Sequence, residues 1–138
     1  MAVLWHEMPE DAAVASHADW MLAREPEAES PLLTFRLARS LHDLATGEQL
    51  HAEHIGDHRT AYLRHEGPVS GNRGVVSRLA EGRVTAVRHD QSGAVHLKLS
   101  WHSGDDTAQE MMVAIQPEEN SGNYQVKVLA IVSASRYK

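Results

Sequence analysis

Residues 95–102 carry the clearest structural signal in the chain, since Val95-His96-Leu97-Lys98-Leu99-Ser100-Trp101-His102 alternates apolar and polar side chains without a break. Successive side chains of an extended strand point to opposite faces, so the four apolar residues would share one face. The alternation therefore predicts a strand with one buried and one solvated face.

Further strand signals recur through the chain, separated by segments rich in Gly, Asn and Asp. Extended segments are predicted at residues 32–37, 74–79, 83–88, 111–115 and 124–132. Strands spaced by about ten residues predict a mainly-β domain, either a small closed or partly open barrel or a sandwich. One or two short helices are expected, over Pro9 to Ala15 and over Ser40 to His51, the second with Ser40 as its N-cap. Residues 23–31 are expected to form an acidic, solvated loop between two strands.

Composition places the chain among ordinary globular domains. Its 138 residues, with 42% hydrophobic and 23% charged side chains, predict a single domain over residues 1–138. No apolar run approaches the roughly 18–20 residues that span a bilayer, and the first residues lack the pattern of a signal peptide. The chain contains no cysteine, which excludes disulfides, thiolate metal sites and cysteine nucleophiles. We expect a cytoplasmic monomer with no membrane partner.

The charge balance limits the kinds of partner. With 13 basic against 19 acidic residues, the net charge is −6, which argues against non-specific coating of DNA. The acidic residues crowd the first thirty positions, whereas arginines are spread through the middle of the chain. A local basic groove is therefore compatible with the sequence, and a small phosphate-bearing end is a better candidate ligand than a long duplex.

Two of the stretches that hold the ten histidines suggest chemistry. In an extended strand His17 and Asp19 would share a face, and so would His58 and Tyr62. An imidazole beside a carboxylate suits a divalent metal, and an imidazole beside a phenol suits an anionic oxygen. Each pair also has a simpler interpretation, since His17 and Asp19 could be a surface pair and Tyr62 a core aromatic with its hydroxyl at the rim.

The order of these motifs resembles the 3′-phosphoesterase domain family associated with bacterial DNA ligase D. The segment from His17 to Leu22 looks like that family's His-x-Asp-Phe-Arg-Leu stretch, and 57–62 matches its Asp-His-x-x-x-Tyr stretch in spacing. Residues 66–76 are similar to the family's Glu-Gly element and the Gly-rich turn that opens its next strand. The resemblance covers roughly residues 4–116, and its most specific part is residues 57–76.

The resemblance implies a metal-dependent phosphoesterase, a hydrolase that trims 3′ ends in DNA repair. An enzyme of this family removes a terminal ribonucleoside and then the 3′-phosphate. The implied cofactor is a divalent metal, usually Mn²⁺, and Zn²⁺ is a second candidate. The implied metal ligands are His6, His17 and Asp19, and the implied catalytic residues at the scissile phosphate are His58 and Tyr62. The implied partners are a nucleic-acid 3′ end or a small phosphoester, and a DNA-repair protein.

The chain departs from that family at two places. Met21 stands where the family has an arginine that would hold phosphate by a bidentate fork, so Arg36 or Arg59 is expected to bind phosphate instead. His6 and His17 stand eleven residues apart, whereas the family spaces these histidines closely. These departures keep an alternative function open, namely a non-catalytic barrel that binds a phosphate-bearing ligand or a protein. A histidine-rich metal buffer is a weaker alternative, because the histidines are dispersed.

Overall fold

The computed structural model describes residues 1–23, 32–58, 66–69, 74–102 and 107–135. Its strands form one antiparallel sheet, which confirms the mainly-β prediction. The strands are β1 (Ala2–Glu7), β2 (His17–Ala23), β3 (Leu32–Leu37), β4 (Gln49–His58), β5 (Gly67–Pro68), β6 (Val75–His89), β7 (Val95–His102), β8 (Thr107–Pro117) and β9 (Tyr124–Ser135).

The sheet closes partly into a ring. The strand order is β1-β2-β3-β4-β9-β8-β7-β6-β5, and β1 also pairs with β6. Strand β6 makes this closure possible because its first half, residues 75–81, pairs with β1 and its second half, residues 82–89, pairs with β7. The predicted partly open barrel is therefore the observed architecture.

Strand β6 is longer than the sequence predicted. Two separate strands, 74–79 and 83–88, were expected, and that prediction was wrong, since the chain runs through residues 80–82 as strand. Gly82 lies opposite Trp101, and a Cβ on Gly82 would stand 2.2 Å from the carbonyl oxygen of Ser100. The glycine here permits close approach of two backbones and does not form a turn.

The main core lies on the face that the ring encloses. The alternation in β7 is confirmed, since Leu97, Leu99 and Trp101 are buried in this core. Trp20 and Phe35 pack there with their ring centroids 5.7 Å apart.

The predicted helix over Pro9 to Ala15 is absent from the structure. This segment joins β1 to β2 by a turn in which the Ala12 N–H donates to the Pro9 carbonyl. The backbone N–H of Met8 donates to the Ser16 hydroxyl over 2.9 Å. Pairing of the flanking strands fixes this short connection, and local helix propensity does not overcome that constraint.

The second predicted helix, Ser40 to His51, was also largely wrong. The described residues contain only a 3₁₀ turn there, Leu41–Asp43, and Gln49 already begins β4. Gly47 adopts a φ of +90°, and its N–H donates to the carbonyl of Val128 in β9. The backbones of Gly47 and Glu48 are therefore hydrogen-bonded to Val128 of β9, while the other bonds of residues 40–48 close short turns, so no continuous helix forms there.

A smaller apolar cluster lies on the opposite face of the sheet, outside the ring. It consists of Ala2, Leu4, Met21 and Val76, with Val69 packed against it. The described residues contain no helix with the length and apolar character needed to cross a membrane. Most of the predicted acidic loop, residues 24–31, lies outside the described part of the chain.

Candidate metal site

The β1–β2 hairpin brings the three predicted metal ligands together. His6 pairs with His17, and Leu4 pairs with Asp19 on the adjacent step of the ladder. Because paired residues and residues two apart project to the same face, His6, His17 and Asp19 share one face, as predicted for the last two. This is the outer face, since the alternate residues Ala18 and Trp20 belong to the main core.

The three side chains are close enough to hold one cation. His17 Nε2 lies 3.2 Å from Asp19 Oδ1, and His6 Nδ1 lies 3.7 Å from Asp19 Oδ2. One donor atom from each residue lies within 4.8 Å of the other two. His17 and Asp19 are each only 5% exposed, so the cluster differs from an ordinary solvated ion pair. The surface-pair interpretation of His17 and Asp19 is therefore wrong.

A backbone contact determines which nitrogen of His17 faces the cluster. His17 Nδ1 lies 2.8 Å from the carbonyl oxygen of Ala15, a contact in which the nitrogen must carry the hydrogen. In the neutral ring, Nε2 is then a bare acceptor pointing towards Asp19. In metal sites, a hydrogen bond from the other ring nitrogen commonly fixes the orientation of a ligating histidine.

Two buried atoms of the cluster lack hydrogen bonds. His17 Nε2 and Asp19 Oδ1 are both inaccessible and have no hydrogen-bond partner. Burying two acceptors face to face is unfavourable unless a positive charge lies with them. A proton on His17 or a metal ion would supply that charge, so the residues present fit a divalent cation.

The same surroundings alter the protonation of His17. Burial by itself lowers the pKa of this imidazole, but the Asp19 carboxylate and the Ala15 carbonyl together outweigh burial. The positive charge of Arg36 opposes protonation, yet the net effect is a pKa raised above the ordinary value of 6.5. Protons and a cation therefore compete for the same lone pair.

Arg36 stands next to the cluster. It pairs with Asp19 across the β2–β3 ladder and therefore projects to the same face. Its guanidinium lies 3.8 Å from the carboxylate of Glu53 on β4, and its Nε is buried without a hydrogen bond. Of the two arginines expected to replace the family's phosphate fork, Arg36 is thus adjacent to the predicted metal ligands.

A second arginine reaches this face from the other side of the hairpin. Arg78 of β6 pairs with Leu4, which pairs in turn with Asp19. The row Arg78, Leu4, Asp19, Arg36 and Glu53 therefore crosses five neighbouring strands. Arg78 and Glu53 were not predicted at the site, because their positions depend on the register of β6 and β4, for which the sequence carries no local signal.

Met21, at the position where the resemblance would place an arginine, lies in an apolar environment. It is fully buried and packs with Ala2, Leu4 and Val76 in the outer apolar cluster. The outer face therefore divides into an apolar part around Met21 and a polar part around Asp19.

The remaining predicted residues lie at or beyond the limit of the described structure. His58 ends strand β4, where its backbone is paired with Leu32, but its side chain is outside the described part. Arg59 and Tyr62 lie entirely outside the described residues. Their expected roles stay predictions.

Comparison of the chain with protein-family models, with curated proteins and with solved structures found no match in any of the three.

Proposed function

We propose that this protein is a metal-dependent phosphoesterase, a hydrolase that acts on nucleic-acid 3′ ends or on a smaller phosphoester. The observation that carries the proposal is the buried cluster of His6, His17 and Asp19. In this cluster two atoms that could ligate a metal, His17 Nε2 and Asp19 Oδ1, face each other without a hydrogen bond. Two imidazoles and one carboxylate form a donor set that accepts Mn²⁺ or Zn²⁺. A bound ion of this kind polarises a phosphoryl oxygen and lowers the pKa of a coordinated water.

Arg36 is the residue we assign to the phosphate. It lies across the ladder from Asp19, so a phosphoryl group beside the cluster would meet a guanidinium fork. Its contact with Glu53 is 3.8 Å, longer than a hydrogen bond, which leaves N–H groups available to an anion. The arrangement supplies the fixed cation that Met21 cannot provide.

His58 and Tyr62 complete the proposal through the resemblance to the ligase-D phosphoesterase family. A protonated His58 or the Tyr62 hydroxyl would stabilise charge on a phosphoryl oxygen or protonate the leaving oxygen. Arg59 is a second candidate for phosphate contact on the same segment.

The site is local and the net charge is −6, so we propose that the substrate is a chain terminus and not a long duplex. We place the activity in DNA repair, with a repair protein as a partner, on the basis of the resemblance alone.

The test is cleavage of a labelled primer–template that ends in one 3′-ribonucleotide, with Mn²⁺ and with EDTA. We expect metal-dependent shortening by the wild type, loss of cleavage in His17→Ala and His58→Ala, and a large decrease in Arg36→Ala. Arg39→Ala is the matched control, because Arg39 is half exposed, pairs with Glu48 and lies away from the cluster. Equal activity of Arg36→Ala and Arg39→Ala would remove Arg36 from the proposed site.

The alternative is a non-catalytic barrel that binds a phosphate-bearing ligand. The burial of Met21 in an apolar cluster favours this alternative, because the family's phosphate fork is missing at that position. Stoichiometric Mn²⁺ and retained substrate without cleavage, in a folded preparation, would support binding over catalysis. Absence of both metal and cleavage would exclude the enzyme.

A further inference from the structure

The inner face of the ring holds a cavity of about 780 Å³ that is separate from the metal cluster on the outer face. Its volume lies within the range of roughly 300–1,000 Å³ that is typical of small-molecule sites. The lining is mostly apolar and comes from seven of the strands and the first residue: Met1, Leu22, Leu33, Phe35, His54, Arg83, Val84, Val87, His89, Val95, Leu97, Ile115 and Tyr124.

We propose that this cavity binds an amphipathic carboxylate, a molecule with an apolar chain and one anionic head, such as a fatty acid. The described strands that join in the ring are β1–β4 and β6–β9, and an eight-stranded ring is just wide enough to hold one small ligand. The inference does not depend on the phosphoesterase proposal, since none of the metal-cluster residues lines the cavity.

Paired apolar side chains form the body of the cavity. Val95 lies opposite Ile115, and Leu97 lies opposite Val87, so two neighbouring ladders present aliphatic groups to the same space. Phe35 and Tyr124 add an aromatic wall, with their ring centroids 5.6 Å apart in an edge-to-face arrangement. Such a surface favours an alkyl chain over a polar ligand.

The ionisable side chains on the lining are mostly basic: Arg83, His54 and His89 are all exposed, and Tyr124 adds a hydroxyl, whereas the described lining contains no carboxylate. This sign is opposite to the net charge of the chain, −6. A cationic rim above an apolar interior matches a ligand with an anionic head and an apolar tail.

The open side of the ring gives access. The β1–β6 ladder stops at Glu81, and Met1 and Gly82 exchange two further backbone hydrogen bonds. Among the described residues, β6 pairs beyond Gly82 only with β7. Val87, which lies in this second half, is 57% exposed although its side chain lines the cavity. An apolar ligand that enters the cavity beside Val87 would explain why an apolar side chain is exposed there.

The experiment is a titration of the full chain with cis-parinaric acid, a fluorescent fatty acid, followed by energy transfer from tryptophan. Trp20 packs against Phe35, which lines the cavity, so a ligand bound there would quench Trp20 emission. Dodecanoate and 1-dodecanol then compete for the bound probe, and their comparison isolates the contribution of the head group.

We expect saturable binding with one probe per chain and tighter competition by dodecanoate than by dodecanol. Arg83→Ala should weaken the binding of dodecanoate by about fivefold, the effect of one partly solvated ion pair, and leave the binding of dodecanol unchanged. Val87→Glu, which places a carboxylate at an exposed site on the lining, should weaken the binding of dodecanoate further. Arg88→Ala is the matched control, because Arg88 is exposed on the same strand but does not line the cavity.

Non-saturable binding by the wild type would overturn the proposal. So would equal effects of Arg83→Ala and Arg88→Ala, or a Val87→Glu variant that is folded by circular dichroism and binds dodecanoate like the wild type. Equal affinity for dodecanoate and dodecanol would refute the anionic head group. Loss of phosphoesterase activity in the metal-site variants has no bearing on any of these outcomes.

Discussion

The carboxylate of Asp19 lies 3.2 Å from the imidazole Nε2 of His17, and neither of the facing atoms has a hydrogen bond. Both side chains are almost completely buried, so water cannot relieve the repulsion that arises between two acceptors when His17 is neutral. The pair therefore requires a positive charge, which either a proton on His17 or a bound cation would supply.

Replacing Asp19 by Asn should nearly abolish metal binding. The substitution keeps the shape of the side chain but removes the negative charge shared by His6 and His17. Because even outer-shell partners of metal ligands are worth roughly 10–100-fold in affinity, we expect a loss of Mn²⁺ affinity above about a hundredfold. Isothermal titration calorimetry or the electron paramagnetic resonance of free Mn²⁺ measures it.

Asp43→Asn is the control for that substitution. Asp43 also forms a pair with a histidine, His42, over 3.4 Å, but it is exposed and lies outside the cluster. The Mn²⁺ affinity of the Asp43→Asn variant should equal that of the wild type. A similar loss in both variants would mean that the His6–His17–Asp19 cluster is not the metal site.

The metal-free protein should lose stability as the pH rises through the pKa of His17. The folded pKa of His17 is raised above 6.5, so its contribution is fully present below that value and is lost as the pH passes the folded pKa. We expect the free energy of unfolding of the wild type, relative to His17→Gln, to decrease from pH 6.5 upwards in EDTA.

Two measurements check this pH dependence. Denaturant unfolding at several pH values gives the difference between the two proteins, and an NMR titration of the imidazole gives the pKa of His17 directly. A midpoint at or below 6.5 without metal would contradict the expectation.

The main core should be sensitive to truncation of Leu99. This side chain is fully buried on β7 and belongs to the core enclosed by the ring. Leu99→Ala should cost about 2–5 kcal/mol of unfolding free energy, from lost burial and from the cavity left behind. Met112→Ala, at a site that is 47% exposed, should stay within about 0.5 kcal/mol in the same urea titration. Equal costs for the two variants would place Leu99 outside the main core.

Gly82→Ala should destabilise the protein although it enlarges the side chain by only one methyl group. The new Cβ would meet the Ser100 carbonyl at 2.2 Å, so β6 and β7 would have to separate locally, at about 1–3 kcal/mol. Gly122→Ala is the comparison, since Gly122 has a positive φ of +72° but open space around it. A smaller loss at Gly82 than at Gly122 would show that backbone approach is not the constraint at Gly82.

The sequence predicted the features that depend on residues close in the chain. The alternation of β7 and the shared face of His17 and Asp19 follow from the period of two in a strand, and both are confirmed. The position of Arg36 beside Asp19 depends on the β2–β3 register, which the sequence left open.

Features that depend on distant pairing were missed or misread. Residues 74–79 and 83–88 looked like two separate strands because the pairing of Gly82 with Trp101 is not visible in a local window. The segment after Ser40 looked helical until its hydrogen bonds to Val128 were known. The row that places Arg78 near Asp19 passes through β1 and β6, whose pairing no local pattern encodes.

The hairpin origin of the cluster has a consequence for the order of folding. His6, His17 and Asp19 come from two consecutive strands, whereas ring closure joins residues 2–7 to residues 75–81. Hairpins form within about 1–10 μs, while contacts between distant segments must first overcome the entropy of closing a long loop. The three proposed ligand side chains would therefore come together before the ring closes. A metal ion bound at that stage would accelerate folding as well as stabilise the folded protein.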